Sequence, residues 1–547
     1  AAPDNSPAPE AAAETAPAQQ PADAEEEPVV AEEAPSVEKL DYSLPLYEEP
    51  FELSWFWTNN GASDSKEKQN LPFWNQLEEE LNVSITWIQP GSMMATEQYN
   101  LMISSGDWTD LIWHSGVASA GYTSAYPGGY DTAIDDGVYL ALNEYITDYA
   151  PNYYYYLMTN PDILRAVTTD LGNWYGFSQI EDEALGITQG TYIREDLWEA
   201  TGLDMPTTTS GWMELLEALK ANGVEYPLFV SNTGSSALIT AAYGTSLASG
   251  FKIDTETDTL VYDAASEEFR GYIEWFIEAF KRGYISDSFI SDDVNDGARN
   301  NLMNGVCATY TSMWSFDSVA ERMMGIKIKA CDVVTLDDMD QPMIYNAQSL
   351  TDRVTNFSEC AVTATVTDIE SLIHFLDFFY SDTGSRIANY GFNEGESYEY
   401  VDGEIRLLPE MIEVDRSNGL TGVIKYTFDG GPFYEIANRR VIVENEASQN
   451  NIKIWSNINT EGVRYASLPT LTFNSRENDA ISSVGADLST EVEAQMLKWM
   501  TGAEELTDES WAAYISYLEA LGMDTYSEAY NSAYERYKTR DERSLGA

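Results

Sequence analysis

FELSWFWT (residues 51–58), LPFWNQLEEEL (71–81), VSITWIQ (83–89), TEQYNLMISSG (96–106) and TDLIWH (109–114) alternate apolar strand-like runs with amphipathic helical runs. Strand, helix, strand in this order implies parallel pairing through right-handed crossovers, so the fold class is α/β. The first strand holds three rings in five positions. Alternation sends Leu53, Trp55 and Trp57 to one side and Ser54, Phe56 and Thr58 to the other. A strand inside a parallel sheet is covered on both faces, so Trp55 and Phe56 read as core, with Trp57 at the boundary.

Ligands of open α/β sheets bind beyond the carboxyl ends of strands. Trp57, Asn59 and Asn60 close the first strand, and Trp113 and His114 close DLIWH. These five are candidate ligand residues, with Asp107 of SSGDWTD beside them; the asparagine amides are the stronger candidates on the first strand.

Beyond this block, REDLWEATG and TSGWMELLEALKANG read as helices closed by Gly202 and Gly223, where positive φ is expected. FKIDTETDTLVYD reads as a hairpin. Its Asp254, Glu256 and Asp258 have the spacing of a calcium loop, but Thr259 stands where that loop needs Gly and Ala265 where it needs Glu. No metal or other cofactor is assigned. The helix SEEFRGYIEWFIEAFKRG puts Phe269, Ile273, Phe276, Ile277 and Phe280 on one face, and Tyr530, Ala533, Tyr534 and Tyr537 recur at helical spacing near the C-terminus as packing residues.

The chain has 547 residues, enough for more than one large core, and no apolar run reaches the roughly 18 to 20 residues of a membrane span. Its net charge of -62 repels phosphate backbones and anionic membranes, so nucleic acid is not an expected partner. Residues 1–40 are rich in Ala, Pro and Glu and contain no aromatic residue. Such a segment cannot bury enough apolar surface to offset chain entropy and reads as an acidic tether with a reach of about 35 Å or more. With no apolar signal segment and no N-terminal cysteine in the sequence, a secretion signal or lipid anchor is expected to have been removed.

Cys307, Cys331 and Cys360 are too few and too dispersed for a disulfide framework and read as buried thiols; with two histidines, a His-rich zinc site is not expected. There is no P-loop, GxGxxG or HExxH, and GTSLA lacks the second glycine of a nucleophile elbow. An aromatic content of 12% beside Asp, Asn and Arg suits sugars, whose C–H faces stack on rings while their hydroxyls need polar partners.

Several segments together resemble the family 1 extracellular solute-binding proteins of ABC sugar importers, a family that includes maltose-binding protein and longer Gram-positive lipoproteins. NLMISSGDWTDLIW is similar to the family's helix, SGD loop and strand, with Thr109 in place of the usual proline. ITDYAPNYYYYLMTNPDILRAVTTDLGNWYGFSQI resembles its approach to the first crossover between lobes, and TYIREDLWEATGLDMPTTTSGWMELLEALKANG the helical region that follows. NGVCATYTSMWSFDS resembles a strand and loop where an aromatic residue stacks on sugar, which singles out Trp314. FLDFFYSDTGSRIANYGFNEGESYEYVDGEI and the C-terminal DESWAAYISYLEALGMDTYSEAYNSAYERYKTR resemble the longer lipoproteins.

The resemblance implies a two-lobed, type II periplasmic-binding-protein-like fold with hinge strands and a ligand cleft. Residues 1–43 would be the linker, 44–178 plus 360–396 lobe I, and 179–359 plus 397–547 lobe II. Crossovers are expected near 176–182, 356–362 and 394–402. Tyr175, Tyr192, Asp317 and Phe392 join the ligand candidates. The implied function is capture of a neutral oligosaccharide by a monomeric, surface-tethered protein for an ABC permease. A peptide, amine or other cationic solute is the alternative ligand, suited to the negative field, and an extracellular glycosidase is the third reading.

Overall fold

The computed structural model describes residues 38–545 apart from 58–66, 92–93, 114–125, 185, 249, 346–352, 355–358, 412–413, 416–419, 429, 437–438, 440–445 and 459–462. Asn59, Asn60, His114 and nearly all of the acidic N-terminal segment lie outside the described residues.

Lobe I begins with β1 (Phe51–Trp57), β2 (Val83–Ile88), β3 (Leu111–Trp113) and β4 (Gly176–Phe177). After β5 (Ile180–Glu181) the chain enters lobe II, which holds β6 (Gln189–Arg194), β7 (Phe251–Asp254), β8 (Thr259–Tyr262), β9 (Thr309–Met313), β10 (Ile328–Ala330) and β11 (Ile344–Tyr345). It returns to lobe I as β12 (Cys360–Val362). There follow the hairpins β13 (Tyr398–Val401) with β14 (Glu404–Leu407) and β15 (Val414–Asp415) with β16 (Leu420–Thr421), then β17 (Tyr434–Glu435). Lobe II is completed by β18 (Tyr465–Ser467) and the long C-terminal helices.

The lobe I sheet has the order β2-β1-β3-β12-β4. β1 pairs in parallel with β2 and β3, as the alternating sequence implies, whereas the returning β12 is antiparallel to β3 and β4. Trp55 and Trp57 enter one core with Trp74, Leu77 and Phe375, while Phe56 enters the smaller cluster on the other face with Tyr99 and Ile112. Both faces of β1 are therefore covered.

Lobe II is mainly antiparallel, in two sheets ordered β10-β6-β9 and β11-β18-β7-β8. Its core packs Phe269, Ile273 and Phe276 of the helix Glu267–Lys281 against Val492, Met496 and Trp499 of the helix Ser475–Met500. Ile277 and Phe280 pack at its border, as Tyr530 does. The β7–β8 hairpin forms as its sequence suggests. Asp254 accepts from the amides of Glu256 and Thr257 at 3.0 and 3.1 Å and pairs with Arg464, so this carboxylate holds a turn.

Three chain segments pass side by side between the lobes. The Ile180 amide donates to Phe433 O at 3.0 Å, the Glu181 amide to Arg353 O at 2.7 Å, and Ile180 bridges Val354. β5 and β17 run parallel. The first of these segments is at 180–181 and the second at 353–354. The third departs from the expectation. Residues 398–401 form a hairpin strand packed with Tyr390, Leu407 and Met411, and Phe428 and Phe433 still belong to the lobe I core, so the chain leaves lobe I only after Glu435.

Candidate functional site

Two clusters stand at strand ends, one in each lobe. In lobe I the parallel register sets Trp57 opposite Trp113, and the indoles stack with centroids 4.2 Å apart. Gly430 and Gly431 close over them: a Cβ on Gly431 would sit 2.7 Å from Trp57. Lys68 Nζ lies 4.3 Å from the Trp57 centroid. Trp57 and Trp113 are 2% and 3% exposed, so both rings are packed against neighbours and give no free face to a ligand.

Tyr175, immediately before β4, stacks on Tyr130 of the helix Tyr130–Asp135 at 3.9 Å and 12°. Both rings are buried. Asp107 is exposed in the turn after Gly106, its amide donating to Ser105 Oγ at 3.4 Å. The nearby carboxylate that organises the sheet is Asp110, which accepts from the Ser54 amide and hydroxyl at 2.8 and 2.7 Å and so ties β1 to the start of β3. Phe392 packs against Phe73 at 5.7 Å at the border of the lobe I core.

Lobe II brings Tyr192, Trp314 and Asp317 together through a residue not singled out in the sequence. Antiparallel pairing sets Gln189 opposite Met313, so Trp314 follows β9 where the incoming chain starts β6, and its amide donates to Thr188 O at 3.0 Å. Asn451, on the helix Glu446–Trp455, directs its Nδ2 to Trp314 O at 2.9 Å, Asp317 Oδ2 at 3.1 Å and Tyr192 Oη at 3.2 Å. Tyr192 is fully buried and donates to Met313 O at 2.9 Å, so it supports the cluster from behind. Trp314 and Asp317 are partly exposed.

Trp455, one turn beyond Asn451, meets Tyr192 edge-on at 5.2 Å and covers Gly190. A Cβ at Gly190 would fall 2.2 Å from that indole, so this strand position must be glycine for the helix to dock. The same helix receives the first crossing, since the Ile187 amide donates to Ser456 Oγ at 2.8 Å. The available sequence signal was the four-residue spacing of Asn451 and Trp455, which puts both on one helix face.

The other face of this helix borders a groove of about 1010 Å³ lined by Thr207, Thr208, Asp332, Asp337, Gln341 and Lys453 among others. Among the described residues its lining includes no aromatic ring. It is therefore a poor match to a sugar face, whereas Trp314 is partly exposed and its backbone oxygen shares the Asn451 amide with Asp317.

No family model matches the chain. The fructooligosaccharide ABC transporter substrate-binding protein FusA of Streptococcus pneumoniae is 25% identical over 256 residues, which span 44% of this chain and 46% of that protein. The match thus covers less than half of the curated relative. The structure of FusA in complex with kestose superposes with a TM-score of 0.64 at 18% identity, covering 89% of this chain and 99% of that one. The chain therefore shares the fold of that solute-binding protein. A human-milk-oligosaccharide (HMO)-binding solute-binding protein of Bifidobacterium longum infantis gives 0.69 at 15% identity, over 89% of this chain and 99% of its own. An alginate-binding protein gives 0.63 at 18%, over 90% and 99%. The two-lobed architecture expected from the sequence is thus shared with proteins that bind several kinds of glycan.

Proposed function

We propose that this chain is the extracellular substrate-binding protein of an ABC importer that captures a neutral oligosaccharide between its lobes and delivers it to a permease. The observation that carries this reading is Trp314, held partly exposed at the end of β9 beside Asp317 and Asn451. The indole face suits the C–H face of a pyranose or furanose ring, and the carboxylate accepts its hydroxyls. Contacts made from both lobes favour closure only to the extent that they are absent when the lobes are apart. The ligands named for the similar proteins support a glycan, and the charge of -62 favours a neutral one over a polyanion. Residues 1–43 would serve as the acidic spacer to a lipid anchor at the cell surface, with the protein acting as a monomer.

Calorimetry against kestose, nystose, maltotriose, lacto-N-tetraose and alginate oligomers tests the reading. Saturable binding of a neutral member is expected, and binding to none of them refutes it. The second reading, a peptide or amine, is favoured by the negative field alone and would show an affinity that falls steeply with salt.

A further inference from the structure

Two of the crossing segments and the Trp314 cluster meet on one helix. Glu446–Trp455 follows the third crossing, at Tyr434 and Glu435, along the chain. The first crossing runs onto the same helix as it enters lobe II, where the Ile187 amide donates to Ser456 Oγ at 2.8 Å, directly after the last turn. Gly186, at φ +73°, makes room for that seam: a Cβ there would fall 2.6 Å from Ser456 Oγ and 3.0 Å from Ile452 Cγ2. Gly190 does the same beneath Trp455. Both glycines let the incoming chain lie close against the helix.

From this helix Asn451 reaches the cluster. It is 6% exposed, and its Nδ2 donates to the Trp314 carbonyl, the Asp317 carboxylate and the Tyr192 hydroxyl. A carbonyl and a carboxylate only accept, and Tyr192 gives its own proton to Met313 O, so the partners fix which way the amide points. The bond to Asp317 is charge-assisted and of the stronger kind. The Ser318 amide holds the other carboxylate oxygen at 2.7 Å. Tyr192 lies on β6, Trp314 follows β9, and Asp317 belongs to the short helix Phe316–Val319, so one buried side chain registers three elements against a fourth.

We propose that Asn451 is a positioning residue for sugar capture, which carries the placement of the helix Glu446–Trp455, and so of two crossing segments, to Trp314 and Asp317. The inference rests on the oligosaccharide reading and adds to it a residue that acts on affinity through Trp314 and Asp317. Rotation of the lobes twists the crossing segments, and the helix joined to two of them takes up that movement within lobe II. Asn451 passes it on, because a donor shared among three acceptors moves only with them. Such coupling has a signature in mutants: the contribution of Asn451 to affinity depends on the indole being present.

The test is calorimetry of the full chain against kestose, nystose, maltotriose and lacto-N-tetraose, in wild type, N451A, N451D and S456A and in each of these combined with W314A. N451D keeps the side-chain volume but turns the donor into an acceptor facing other acceptors. For the neutral glycan that wild type binds, N451A should weaken affinity about tenfold, N451D at least as much, and S456A about threefold, whereas in the W314A background each should cost less than about twofold. Wild-type affinity in N451D overturns the proposal. So does a loss in N451A that is equal with and without Trp314, which is what a residue supporting the fold alone would give. Wild-type affinity in S456A separates Asn451 from the crossings and also overturns it. If N451A and N451D do not fold, S456A and its combination with W314A decide the matter. If wild type binds none of the four glycans, the oligosaccharide reading fails and this inference with it; absence of coupling in a wild type that binds leaves that reading standing.

Discussion

Removing the carboxylate of Asp170 should destabilise the protein by about 3 kcal/mol, because it strands a buried arginine. Asp170 follows the lobe I helix Pro161–Val167 and accepts from Arg540 Nε at 2.7 Å and Arg536 Nε at 2.8 Å, both from the C-terminal helices. The Arg540 side chain is 3% exposed and that of Asp170 11%, so neither is compensated by water. Breaking a buried pair from one side costs about 3 to 5 kcal/mol. The lower end applies here, since Arg536 keeps Glu477 at 2.5 and 2.6 Å, and Arg540 keeps Thr472 Oγ1 at 2.6 Å. Asp170→Ala is to be compared with Asp162→Ala, whose carboxylate is 78% exposed and 3.5 Å from Arg165, a pair of the kind worth about 1 kcal/mol or less. Urea unfolding followed by tryptophan fluorescence at pH 7 gives both values. If D170A lies within about 0.5 kcal/mol of wild type, or costs no more than D162A, the reasoning from burial is wrong.

Other outcomes follow from the same structure. Gly190→Ala forces the Trp455 indole aside and should cost about 1 to 3 kcal/mol, measured by the same unfolding assay; a neutral effect would show that Trp455 is not seated there. Trp314→Ala should weaken sugar binding by about 1 to 3 kcal/mol in calorimetry while leaving the fold intact, and unchanged affinity would remove Trp314 from the site. The three thiols are buried, and burial pushes Cys307 up to about 12, so the native protein should be inert to a thiol reagent until denatured. Burial raises the Glu477 carboxyl, but Arg536 and the Asn474 amide outweigh it and hold the group below its ordinary value. Its stabilisation is therefore present above the unfolded glutamate pKa and lost as pH falls through the folded one, so Glu477→Gln should flatten the loss of stability below about pH 4.5.

The lobe I sheet was legible in the sequence because each strand lies beside its partner with one helix between them. FELSWFWT shows period-two alternation covered on both faces, and the structure divides Trp55 and Phe56 between two cores as that pattern requires. The hairpin at 251–262 was legible for the same local reason. The third crossing was not. Its position depends on Tyr434 pairing with Ile180, about 250 residues earlier, and no local pattern carries that information. The site divides along the same line. Trp314 and Asp317 follow a strand whose end the sequence marks, whereas Asn451 joins them from a helix more than 130 residues later. Trp57 and Trp113 were placed at strand ends correctly, but the glycine pair that seals their rings comes from residues 430 and 431.

The central claim, that a neutral oligosaccharide is held between the lobes, is tested most directly by calorimetry of the intact chain against the neutral glycan panel at low and high salt. The account predicts saturable, one-to-one binding of at least one neutral oligosaccharide with little dependence on salt. No heat from any glycan, together with salt-sensitive binding of a cationic peptide or amine, would contradict it.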